Sequence, residues 1–192
     1  GDSNTAIGYQ AGTALTTGAS HTAIGYKAMR VGTGGSHCVA VGKEAFENIA
    51  TDGNASRNVA IGSGAGKVMT DGQRATFVGY YAGGTYDSGN SFVNQTFIGS
   101  EAGYNHTGGS YNTLIGAEAG YGTSGFDGAE NVIIGGRAGF GIDDLHKAVA
   151  IGVYALDAAT TTGADGTVAI GYDALGSLTS GQKNTAIGYE AL

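Results

Sequence analysis

A short motif in which glycine follows Ile or Val recurs along the whole chain. It occurs 11 times in 192 residues, and successive glycines are 17 to 20 residues apart. The first and last copies, NTAIGYQA and NTAIGYEA, differ at one position although 180 residues separate them. The extra residues of the longer spacings fall in turn-rich stretches such as ENIATDGNASRN, GTYDSGNSFVNQ and LDAATTTGADGT. Such a period indicates a repeat architecture, in which neighbouring units stack and bury a shared core.

The residues before each repeat glycine predict a short strand. We number positions from that glycine, so that position −1 directly precedes it. Positions −3 and −1 are β-branched in all 11 copies, as suits a pleated strand, and side-chain alternation puts both on one face. Position −3 holds Thr5, Thr22, Val39, Val59, Thr76, Thr96, Thr113, Val132, Val149, Val168 and Thr185. Position −1 holds Ile7, Ile24, Val41, Ile61, Val78, Ile98, Ile115, Ile134, Ile151, Ile170 and Ile187.

One strand per repeat, in constant register, predicts about 11 stacked coils of 17 to 20 residues. We therefore expect residues 1–192 to form a single all-β domain, a parallel β-solenoid with strands about 4.8 Å apart. Position +3 is always Ala, which indicates a tight, buried site. The alternative is a β-propeller or a set of separate hairpins, but a repeat of 17 residues is short for a four-stranded blade. Both termini stop within the pattern, so we expect a longer fibre or end-to-end stacking to cover the terminal strands.

Position −2, which we call the central column, points to the other strand face. It is never polar, whereas a solitary solenoid should present a polar column to water. We expect this column to form the interface of a homotrimer, although a second strand of the same coil could instead cover it. The central column consists of Ala6, Ala23, Ala40, Ala60, Phe77, Phe97, Leu114, Ile133, Ala150, Ala169 and Ala186.

Positions after the glycine are more polar. Position +2 varies freely and includes Gln10, Glu44 and Glu190, so we expect it to face water. Several copies carry Tyr at position +1, and these side chains either contact a surface glycan or protein receptor or simply cover the backbone at a coil corner. They are Tyr9, Tyr26, Tyr80, Tyr172 and Tyr189.

The copies NTAIGYQA, HTAIGYKA and NTAIGYEA resemble the short repeats of bacteriophage tail fibres. They are also similar to the N-x-x-A-[IV]-G repeats in the head of YadA-like trimeric autotransporter adhesins. The resemblance covers residues 4–191 and implies a left-handed β-roll, three chains side by side, and a location on a virion or extracellular surface. Adhesin repeats are usually shorter. Asn at position −4 is kept at Asn4, Asn58, Asn112, Asn131 and Asn184, and replaced at His21, Cys38, Ala75, Gln95, Ala148 and Thr167.

Little in the sequence indicates catalysis, a cofactor or a metal. The adjacent His37 and Cys38 would point to opposite faces of a strand, and GIDDLHK at residues 141–147 is typical of a solvated turn. A net charge of −7 without a basic patch argues against nucleic-acid binding. No apolar run approaches the length of about 18 residues that membrane insertion needs.

We therefore expect a non-enzymatic structural shaft of a fibre or adhesin that associates with itself and contributes to attachment through exposed loops. One alternative is a polysaccharide-binding or depolymerase module, which would carry carboxylates in a groove. Another is an ice-binding solenoid, which would need a regular Thr array. Val interrupts that array at five of the 11 copies of position −3.

Overall fold

A computed structural model describes residues 1–32, 34–49, 55–69, 72–85, 93–157 and 164–192. Its strands are short and parallel, and the turns between them are irregular. Much of the turn-rich stretches that vary in length lies outside the described residues. The strands are β1 (Thr5–Ile7), β2 (Thr22–Ile24), β3 (Val39–Val41), β4 (Asn48–Ile49), β5 (Val59–Ile61), β6 (Val68–Met69), β7 (Thr76–Val78), β8 (Thr96–Ile98), β9 (Thr113–Ile115), β10 (Val132–Ile134), β11 (Val149–Ile151), β12 (Val168–Ile170) and β13 (Thr185–Ile187).

The repeat strands form one sheet of 11 parallel strands, in the order in which they occur along the chain. Ile7 pairs with Ile24, and equivalent positions pair at every later step through β12 and β13. The predicted β-solenoid and its register are therefore confirmed. A second, two-stranded sheet joins β4 to β6 on another side of the coil.

The central column lies inside the coil, and the β-branched positions −3 and −1 face outward. All central-column residues after the first are at most 4% exposed within their own chain, and Ala6 of the terminal coil is exposed. The expectation that this column meets a partner subunit is therefore wrong for its buried members. These are Ala23, Ala40, Ala60, Phe77, Phe97, Leu114, Ile133, Ala150, Ala169 and Ala186.

Position −4, which is polar in eight of the 11 copies, shares the inner face with the central column. Asn131 is fully buried, and its Nδ2 donates to the carbonyl oxygen of Leu145 at 2.6 Å. Its Oδ1 accepts a hydrogen bond from the backbone N–H of Ala148 at 2.9 Å. Asn58 makes the equivalent bonds to Gly72 and Ala75 at 2.9 and 2.8 Å. These amides satisfy backbone groups at an inner corner of the coil, so their polarity does not indicate exposure.

The interior of most coils is filled by pairing a large side chain with a small one. Position +4 is Gly in all four copies where the central column is large, and large in five of the seven copies where the central column is Ala. Ala6/Gly12 and Ala60/Gly66 are small at both positions, and Phe46 and Phe77 of the adjoining coils occupy the space beside Gly66. The first arrangement occurs in Phe77/Gly83, Phe97/Gly103, Leu114/Gly120 and Ile133/Gly139. The second occurs in Ala23/Met29, Ala40/Phe46, Ala150/Leu156 and Ala169/Leu175, all at most 2% exposed. A narrow coil thus keeps nearly constant interior volume, as close packing requires.

The repeat glycine allows the chain to turn directly after each strand. The 11 repeat glycines have φ between 128° and 140°, a region that L residues rarely adopt. A Cβ on Gly116 would also lie 2.5 Å from the carbonyl oxygen of Gly135 in the next coil. Both constraints explain why this position is Gly in every copy. The Ala at position +3 is buried in all but the two terminal coils, where Ala11 and Ala191 are partly buried.

Candidate binding surfaces

The outward face of the sheet is a continuous strip without charge. Its two columns, positions −3 and −1, run over all 11 strands and contain six Thr among Ile and Val side chains. Ile61, in an inner coil, is 42% exposed, and Ile98 is 37% exposed. This outer strip therefore presents a regular, largely apolar surface to whatever surrounds the chain.

The tyrosines at position +1 are exposed beside the outer strip. Tyr9 stacks on Tyr26 at a centroid distance of 5.6 Å, and Tyr172 stacks on Tyr189 at 5.2 Å. A hydrogen bond to Glu190 and the charge of that carboxylate raise the pKa of the Tyr189 phenol. All five side chains are exposed, and their binding role stays a prediction.

Positions +2 and +5 meet along one corner of the coil, where they form ladders from one repeat to the next. Position +2 is half-buried or exposed in every copy except Gly64, largely as expected. In the first coils the ladder is ionic: Arg30 Nε lies 2.9 Å from Glu47 Oε1, and Lys67 Nζ lies 2.7 Å from Glu44 Oε2. The hydrogen bond from Lys67 lowers the pKa of the Glu44 carboxyl, and the pKa of Lys67 is raised in return.

Farther along the same corner the ladder becomes aromatic. Tyr81 lies 6.1 Å from Tyr104, measured between ring centroids, and the two rings are inclined by 66°. Tyr104 stacks on Tyr121 at 5.3 Å, and Tyr121 stacks on Phe140 at 5.2 Å. A cleft of about 290 Å³ opens here, and we call its lining residues the corner cluster. They are Tyr80, Tyr81, Glu101, Tyr104 and Tyr121.

Sequence reasoning missed the corner cluster apart from Tyr80. Positions +2 and +5 lie in the turns that follow each strand, where strand alternation does not predict which side chains meet. A signal was nevertheless present, because Tyr104, Tyr121 and Phe140 occupy position +5 of three consecutive copies. Reading every column of the repeat, and not only those in the strand, would have found this aromatic ladder.

The His and acidic residues that the sequence singled out have structural contacts. Cys38 is buried while His37 is exposed, so the adjacent pair does point in opposite directions, and burial raises the pKa of the Cys38 thiol. In the 141–147 turn, Asp143 accepts hydrogen bonds from the backbone N–H groups of Thr123 and Ser124, at 3.0 and 3.1 Å. In the part of the chain that the structure describes, no three His, Cys, Asp or Glu side chains are grouped to hold a metal ion.

Neither a membrane-spanning helix in the described ranges nor a match to a known protein is found. None of the described ranges contains a helix with the length and hydrophobicity needed to cross a bilayer. Comparison of the chain with protein-family models, curated proteins and solved structures produces no match.

Proposed function

We propose that this chain is a structural shaft of a fibre or adhesin on a virion or cell surface, assembled as a homotrimer of left-handed β-rolls. The observation that supports it most is the uncharged outer strip on the full length of the sheet. Apolar surface of this extent is unusual on a monomer and is covered in most assemblies. The number three, the left-handed sense and the surface location rest on the resemblance of the repeats to tail fibres and adhesins.

The proposed interface differs from the one that the sequence suggested. Ile115 and its equivalents at position −1 point out of the coil, so equivalent strips from three chains can pack without disturbing each chain's interior. Because the coils repeat, a contact between two outer strips recurs at every coil. The stabilisation from many small apolar contacts therefore adds up along the shaft. Exposed side chains at the corners, including the tyrosines of position +1, remain available to a receptor or surface glycan.

The mass in solution tests the assembly. Light scattering should give about three times the chain mass of 19.0 kDa. Ile115→Asp places a charge in the middle of the strip and should lower the mass to that of one chain while the β-sheet circular dichroism is retained. Ala117→Asp is the matched control, because Ala117 is exposed on the neighbouring turn and outside the strip. A wild-type mass of one chain would contradict the trimer.

Ice binding is a second candidate because the same strip is uncharged and repeats at the strand spacing of about 4.8 Å. Thr and Val both present methyl groups at position −3, so Val interrupts the hydroxyls but not the spacing of the methyls. This function requires the strip to be open to solvent. A monomeric wild-type chain that shows thermal hysteresis, abolished by Ile115→Asp, would favour it over the shaft.

A further inference from the structure

The tyrosine rings of the corner cluster are steeply inclined to one another. The ring of Tyr81 is inclined by 73° to that of Tyr80, with centroids 4.7 Å apart, and by 66° to that of Tyr104. All three rings border the cleft of about 290 Å³, which is open to solvent. Rings that meet at large angles present negatively charged π faces to one volume, which is how aromatic cages hold alkylammonium groups.

Glu101 supplies a carboxylate to the same cleft. Within the described ranges, no Lys, Arg or His nitrogen lies within 4.0 Å of its carboxylate oxygens. Burial is the main cause of the raised pKa of the Tyr121 phenol, and the negative charge of Glu101 raises this pKa further. The cleft therefore combines π faces with a negative charge.

The neighbouring coils show what would complete this arrangement. On one side, Lys67 pairs with Glu44 and lies 5.9 Å from the ring centroid of Tyr81. On the other side, Arg137 Nε lies 3.5 Å from Glu118 Oε2, and Arg137 Cζ lies 4.1 Å from the ring centroid of Phe140. Each flanking site contains an aromatic ring, a carboxylate and a cation. The corner cluster shares Tyr81 with the Lys67 site, but in the described ranges its own carboxylate, Glu101, has no cation within 4.0 Å.

We infer that the corner cluster binds an organic cation, with a quaternary ammonium or similar alkylammonium group held between Tyr80, Tyr81 and Tyr104 and opposite Glu101. A neutral sugar could also stack on tyrosine and donate hydroxyl hydrogen bonds to a carboxylate. The cation is favoured because each flanking site holds a cation beside both a carboxylate and an aromatic ring. The inference does not depend on the proposed shaft function, since the cluster lies at a corner and not on the outer strip.

The test uses the full chain and three small probes. Choline is the cation, 3,3-dimethylbutan-1-ol is its uncharged isostere, and methyl glucoside represents a neutral sugar. NMR titration or calorimetry should show saturable choline binding at the Tyr80 and Tyr104 resonances. The isostere should bind about tenfold more weakly, because it lacks both the cation–π and the charge–charge attraction.

Two variants and two matched controls locate the site. Glu101→Gln and Tyr104→Leu should each weaken choline binding about tenfold. Tyr104→Phe keeps the ring, and Glu118→Gln changes a carboxylate that Arg137 already pairs; each should change the affinity by less than about twofold. Equal affinity for the isostere, preferential binding of the glucoside, absence of saturable choline binding, or an unchanged affinity in Glu101→Gln would overturn the inference.

Discussion

Leu114 and Gly120 face each other across one coil, and a Cβ built on Gly120 would lie 2.8 Å from Leu114 Cδ1. Two coils later, Ala150 and Leu156 occupy the same two positions with the sizes exchanged. The backbone is the same in both cases, because φ is 60° at Gly120 and 59° at Leu156. The coil interior therefore specifies a combined volume, and either position can provide it.

Exchanging the two sizes should preserve stability where either single change does not. Leu114→Ala should cost about 2 to 5 kcal/mol through the cavity it leaves, and Gly120→Leu should cost at least about 1 to 3 kcal/mol through overpacking. The double variant should recover more than half of the summed loss in urea unfolding. Leu114→Ala combined with Gly139→Leu is the control, since the new side chain then clashes in a different coil. Additive losses in the exchanged pair would contradict the compensation.

The adjacent glycines Gly135 and Gly136 should respond oppositely to Ala. Gly135 has φ of 136°, and a Cβ there would overlap the carbonyl oxygen of Gly152 in the next coil. Gly135→Ala should therefore lower the unfolding free energy by more than about 2 kcal/mol. A Cβ at Gly136 meets no atom within 4 Å, so Gly136→Ala should be neutral or stabilising by less than about 1 kcal/mol. Similar melting temperatures for the two variants would refute the close-approach argument.

Asn131→Ala should be destabilising although it removes a polar residue from the interior. It would leave the Leu145 carbonyl oxygen and the Ala148 N–H without the bonds that Asn131 provides. We expect a loss of about 2 to 4 kcal/mol in chemical unfolding, from two buried groups that lose their partner. Asn184→Ala, at the equivalent position in the more exposed terminal coil, should cost less than half as much. A cost near zero for Asn131→Ala would show that the inner corner is solvated.

Acid should destabilise the protein through His106. This imidazole is fully buried between Phe97 and Phe126, and burial lowers its pKa to about 3 from 6.5. The unfolded chain then binds more protons than the folded chain between these values, so stability falls as the pH decreases from 6.5 toward 3. The expected slope from this group is about 1 kcal/mol per pH unit.

The pH dependence should shrink when the group is removed. In His106→Leu, the difference in unfolding free energy between pH 7.5 and pH 4.5 should fall by about 2 kcal/mol relative to wild type. Ile142→Val is the control, because it changes an equally buried side chain that does not titrate and should leave the difference unchanged. An identical pH profile in the His106 variant would mean that this imidazole is protonated without unfolding.

Sequence periodicity was sufficient for the strands and their order. Thr22–Ile24 and its equivalents are β-branched on either side of one apolar residue, and repetition at nearly constant spacing leaves in-register parallel stacking as the arrangement that buries every copy equally. The corner cluster was not accessible in this way. Tyr81 and Tyr104 belong to different coils and different columns, so only the stacking distance and the turn geometry bring their rings together.

The sequence by itself determined the repeat, the strand at each copy and the register of neighbouring strands, because these depend on local conformation and periodicity. Only the tertiary structure decided which strand face is inside. Alternation places Ala150 on one strand face and Val149 and Ile151 on the other. Because both faces are apolar, the pattern does not indicate which face points into the coil. The choice follows from the narrow coil. Its cross-section holds one inward strand residue, the Ala at position +3 and the residue at position +4, while the Asn at position −4 satisfies the backbone of the inner corner.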